Sequence, residues 1–199
     1  QSCLGADFFM RVSYNVGMFY KEDAMSLAFL SFVTLSLFML HEFDEIILIR
    51  PWISQNQDHQ GYQKEMFIAR RGSYLSAESI ALMIAEEFLL AFVLLLLAIL
   101  FRIPELALAI GFCHTLHLLG HIMQVFRFRR WVPGGFTALT TSPILTLVFI
   151  LYLCQQSISW PLFLILSVLV MAFLLANLAF LHSRAQKIEA WIYRISKAD

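Results

Sequence analysis

"SIALMIAEEFLLAFVLLLLAILF", residues 79–101, holds only two formal charges, Glu86 and Glu87. A helix needs ~20 predominantly apolar residues to cross the hydrocarbon core of a bilayer, so this stretch reads as a membrane span. The same pattern recurs on both sides of it. Ala24–Ile49 is uncharged up to His41, and Pro104–Phe126 carries Glu105 as its single formal charge. No Asp, Glu, Lys or Arg occurs between Arg130 and Arg184, room for a hairpin of two spans, Phe136–Leu153 and Pro161–His182. Gln155, Gln156, Ser157 and Ser159 supply its turn. Pro104 and Pro161 suit first helical turns, and Pro143 should kink the fourth span or mark its ordered start.

The whole chain agrees with that reading. It is 60% hydrophobic and 14% charged, against roughly 45–50% and 25% in soluble domains, and its mean hydropathy is +0.74. The expected fold is an all-α polytopic bundle of five transmembrane helices over residues 24–183. Residues 1–23 are set apart as a leading segment, processed or engineered. Residues 184–199 are expected to form a separate amphipathic helix on a membrane face, because Ile188, Trp191, Ile192 and Ile195 follow helical spacing among basic residues. Residues 51–75 read as a polar connection. A net charge of zero speaks against nucleic acid as a partner. Cys3, Cys113 and Cys154 form no CxxC pair, so neither a disulfide framework nor a thiolate zinc site is expected.

With five spans the basic residues divide unevenly. Arg11, Lys21 and Arg102 fall on one side; the other 11 of the 14, including Arg50, Arg70, Arg127 and Arg184, fall on the opposite side. The positive-inside rule then places the N-terminus outside and the C-terminus in the cytoplasm.

Ionisable side chains within spans are expensive and usually functional. Here they converge in depth. His41 precedes Arg50 by nine residues, which places it ~13 Å from the cytoplasmic end, and Glu45 is ~7 Å deep. Glu86 enters ~15 Å from Ser76, while His117 and His121 lie ~15 and ~9 Å from Arg127. His41, Asp44 and Glu45 share one helix face; Glu42 points about 100° away. His114, His117 and His121 fall within an arc of about 60°.

Mixed histidine and carboxylate donors suit zinc or iron. His117 and His121, at i and i+4, can hold one metal from one helix, with His41 as third ligand and an open water position. Glu45, Glu86 or Glu87 would be base or further ligand, and Asp44, Glu87 and His114 are additional metal candidates. Each residue also has a plainer reading. His121 beside Gly120 fits a structural interhelical hydrogen bond. His59 and His182 read as solvated or interfacial, and Glu42 as a partner for Arg50 or a neighbouring helix. In "RFRRWVPGGFTAL", residues 127–139, basic and tryptophan residues fit interfacial anchors. Arg127, Arg129 and Arg130 also fit an anionic headgroup or substrate.

The order of these motifs resembles the HXXEE-domain family of small bacterial membrane proteins. Its first signature stands here as His41-Glu42-Phe43-Asp44-Glu45, with Asp44 in place of the first glutamate. The second stands as "HIMQVFRFRRWVPGGFTALTTSP", residues 121–143. The resemblance implies a metal-dependent enzyme of the bacterial cytoplasmic membrane and leaves its reaction open. The expectation is an intramembrane zinc hydrolase or acyl-transfer enzyme acting on a lipid or lipid-linked substrate. A di-iron oxidoreductase and a non-catalytic membrane protein (immunity factor, transporter subunit or partner-binding module) are the alternatives. Oligomeric state is not legible.

Overall fold

The computed structural model describes residues 25–56 and 75–197. The described residues form five helices and no strand: α1 (Leu27–Asn56), α2 (Ala77–Leu100), α3 (Pro104–Phe128), α4 (Gly135–Gln155) and α5 (Trp160–Ser196). By length and composition four of these, α2 to α5, are apolar enough to cross a membrane. α1 is not among the four; its second half carries Glu42, Asp44, Glu45 and Arg50.

α3 is the central element and packs on all four others; α1 also packs on α2 and α4, and α2 on α5. The largest core cluster takes Leu30 from α1, Leu95 and Ala98 from α2, Ala107 to Ile110 from α3, Tyr152 from α4 and Val170 from α5. Small residues at its centre let the backbones approach, the usual means of packing helices in lipid. Gly111 is one such point: a Cβ there would run into the Phe149 ring. The periphery is studded with exposed large side chains such as Phe32, Leu100 and Val168, as a lipid-facing surface requires. Pro104 and Pro161 occupy first-turn positions.

Three boundaries differ from the sequence expectation. α1 continues through Pro51 to Asn56. Tertiary contacts hold the added turns: Ile53 packs with Phe128 and Val132, Trp52 Nε1 donates to the Trp131 carbonyl at 2.7 Å, and Arg130 donates to Asn56 Oδ1. α4 begins at Gly135 and runs through Pro143, which therefore does not mark its start. α5 continues unbroken through residues 184–196, so no separate C-terminal helix forms. At 37 residues it is about 55 Å long and must project beyond a ~30 Å hydrocarbon core. Its C-terminal half packs on α2, with Leu181 and Ala185 in one core cluster with Ile80 and Ile84, and Glu189 accepts from the Ser76 amide at 3.2 Å. The leading segment through residue 24, residues 57–74 of the polar connection and His59 within it lie outside the described residues.

Candidate metal centre

α1 and α3 bring four donors together. His41 and Glu45 are one turn apart on α1; His117 and His121 are one turn apart on α3. One ligand atom from each of these four residues lies within 4.8 Å of all the others, a group that can hold a metal ion. The individual separations are informative. His117 Nε2 lies 3.1 Å from His41 Nε2 and 3.2 Å from His121 Nε2. Glu45 Oε1 lies 2.7, 3.6 and 3.9 Å from the Nε2 atoms of His121, His41 and His117. A tetrahedral zinc with Zn–N of ~2.0–2.1 Å separates its ligand atoms by roughly 3.4 Å. The observed spread brackets that value.

Hydrogen bonding on the far side of the rings sets the tautomers. His121 Nδ1 is 3.1 Å from the Pro133 carbonyl oxygen. A carbonyl only accepts, so this nitrogen carries a proton, and Nε2 points inward at Glu45, presenting a lone pair in the neutral ring. His41 Nδ1 is 3.1 Å from Thr137 Oγ1, and that hydroxyl donates to Asp44 Oδ2 at 2.9 Å. The hydroxyl proton is thus directed at Asp44, and Thr137 accepts from His41 Nδ1–H. His41 Nε2 then also faces inward unprotonated. Metal-ligating histidines are oriented by this kind of outer partner.

His117 Nε2 stands within 3.2 Å of both other imidazole nitrogens, and Glu45 Oε1 lies 2.7 Å from His121 Nε2, an ion-pair contact when that ring is protonated. With the rings neutral, four electron-rich atoms converge, an arrangement that could hold a metal ion.

The turn between α3 and α4 closes one side. α3 ends at Arg129, whose φ is 52°. Gly134, at φ +74°, packs its backbone directly against the donors: a Cβ there would lie 2.8 Å from His41 Cε1 and 3.0 Å from both Glu45 Oε1 and His121 Nδ1. Only glycine provides both that backbone angle and that space.

The remaining expected residues surround this group without joining it. Asp44 acts through Thr137, whose amide it also accepts at 3.3 Å. His114 is buried one turn before His117, with its ring 5.9 Å from that of His41 and no partner for Nε2. Glu86 faces outward and accepts from Asn177 of α5 at 2.8 Å. Glu87 is half-buried and close enough to Glu42 and Glu45 to feel their charge. Arg127 lies over the Phe128 ring, Arg129 caps α3, and Arg130 is tied to Asn56. Glu42 takes the neighbouring-helix reading and reaches α3. Glu42 is buried, and its Oε1 is 3.8 Å from His117 Nε2. A glutamate is long enough to reach round the helix, so the angle of its Cα–Cβ bond understates its range. Thr137, the Pro133 carbonyl and the packing of Gly134 were not anticipated; the PGG turn was the one available signal.

No curated protein and no solved structure gives a significant match to this chain. A family model described as "protein of unknown function with HXXEE motif" matches residues 32–148. That interval is more than half the chain and contains both the α1 motif and the turn that closes the site. The chain therefore belongs to the HXXEE family.

Proposed function

We infer that this is an intramembrane metalloenzyme, with His41, His117 and His121 holding one zinc ion and Glu45 as base or further ligand, and that its substrate is a lipid or lipid-linked ester or amide. The observation that carries the reading is the convergence of three inward-facing Nε2 atoms and one buried carboxylate oxygen at zinc-ligand spacing. Bound zinc supplies a Lewis acid and an acidified water. The chain's own residues supply the rest. Thr137 and Asp44 orient His41, the Pro133 carbonyl orients His121, and Glu42, at the His117 edge, is positioned to accept a proton from an attacking water. Arg127, Arg129 and Arg130 would attract an anionic headgroup at the end of α3.

In this reading α1 is the fifth span, because Glu42 and Glu45 turn toward α3 and Asp44 toward α4. The N-terminus is outside and the C-terminus inside a bacterial cytoplasmic membrane. A second reading is a di-iron oxidoreductase, favoured by the carboxylate flank of Glu42, Glu45 and Glu87.

Nanodisc-embedded protein, loaded with zinc or stripped by chelator, can be incubated and its lipids compared by mass spectrometry. Zinc-dependent deacylated or transacylated species are expected. Identical lipid profiles in the presence of fully bound zinc would contradict a lipid hydrolase or acyl transferase. Two irons per chain would favour the second reading.

A further inference from the structure

Of the four donors, three are enclosed. The His41 side chain is fully buried, and those of His121 and Glu45 are 14% and 16% exposed; His117 is 45% exposed. Whatever reaches the centre therefore approaches past His117. Gly120 lies one turn further along α3, about 60° from His117 on the helical wheel and about 40° from Leu116. Its other neighbours on that arc, Leu119 and Met123, are exposed apolar residues, as is Leu116. Gly120 thus sits at the seam between the lipid-facing side of α3 and its donor-facing side. A Cβ built at Gly120 meets nothing within 4 Å among the described residues. Packing does not account for this glycine, in contrast to Gly111 and Gly134, whose missing side chains are required by neighbours. Glycine within a helix is less stabilising than alanine.

We propose that the bare backbone at Gly120 is a lateral portal through which an amphiphile, its acyl chain lying in the bilayer, reaches the centre beside His117. The proposal rests on the metal and lipid-substrate reading above and adds the route. Leu116, Leu119 and Met123 offer an apolar approach, and the polar end of the molecule meets His117 and Glu42. A water-borne substrate would need no apolar approach of this kind.

The test uses zinc release, not turnover. Full-length protein in nanodiscs is loaded with zinc and challenged with 1,10-phenanthroline, which partitions into bilayers, or with EDTA, which does not. The wild type should lose zinc faster to phenanthroline than to EDTA at equal concentration. Gly120→Trp should slow release to phenanthroline about tenfold while zinc content before challenge is unchanged. Gly120→Leu, a milder change at an open position, should slow it in the same direction and serves if the tryptophan variant fails to assemble. Unchanged phenanthroline rates in a fully loaded variant would overturn the portal. Faster release to EDTA in the wild type would do the same, since the opening would then face water. A wild type that binds no zinc would overturn the metal reading instead.

Discussion

His121 Nδ1 lies 3.1 Å from the carbonyl oxygen of Pro133. That contact joins a donor on α3 to the turn that starts α4, so the backbone path from Arg129 to Gly135 is part of the site. Thr137, one turn into α4, does the same for His41. The centre is consequently built by three helices, although its four donors come from two.

The Thr137 hydroxyl is the first point at which this can be tested. Thr137→Val keeps the shape and removes the bridge between His41 and Asp44. Loss of an outer-shell partner typically weakens metal binding 10–100-fold. A competition titration against a chromophoric chelator should show that drop, and Thr137→Ser should recover most of it. Equal affinity in wild type and Thr137→Val would remove Asp44 and Thr137 from the account.

Gly134→Ala should be more damaging than its size suggests. A left-handed backbone costs a non-glycine residue roughly 1–2 kcal/mol, and the added methyl would press on His41, Glu45 and His121. Metal content should fall steeply while helix content by circular dichroism is retained. Full metal occupancy in Gly134→Ala would show that the turn does not back the site.

Glu42 and Glu86 should separate. Glu42→Gln leaves all four donors in place and removes the carboxylate beside His117, so turnover should fall at least about a hundredfold, the scale of a lost general base, with metal retained. Glu86→Gln alters a contact to Asn177 and should change neither metal content nor turnover appreciably. The reverse pattern would place the base on α2.

Orientation can be read from a tag. If all five helices span, 11 of 14 basic residues fall on one side, and a C-terminal tag should be protected from external protease in intact cells and digested after permeabilisation. Digestion in intact cells would invert the topology and leave the donor geometry untouched.

Much of this arrangement is legible in the amino-acid sequence alone. Long uncharged runs mark α2 to α5 because a bilayer demands length and apolarity together. The depth match of His41 with His117, and of Glu45 with His121, reflects two helices running in the same direction from the same side. Other features depend on information that spacing does not carry. Pro133 contributes a backbone carbonyl, which has no residue signature. An ideal wheel sets Glu42 about 100° from the His41 face, which ignores the reach of its side chain. α1 outlasts Pro51 because Trp52, Ile53 and Asn56 find partners on the α3–α4 turn, more than seventy positions away in sequence. The C-terminal helix looks independent in sequence because its charge pattern changes at Arg184, whereas nothing at that point breaks the backbone.

The measurement closest to the central claim is elemental analysis of the protein purified in detergent without chelator, alongside His41→Ala and His121→Ala. The account predicts about one zinc per wild-type chain and loss of most of it in both variants, each of which removes one of the few protein donors a zinc site has. All three proteins should insert, since removing a polar group from a span favours insertion. A wild type without metal, or full occupancy in both variants, would contradict the account and leave the cluster as a polar network between α1 and α3.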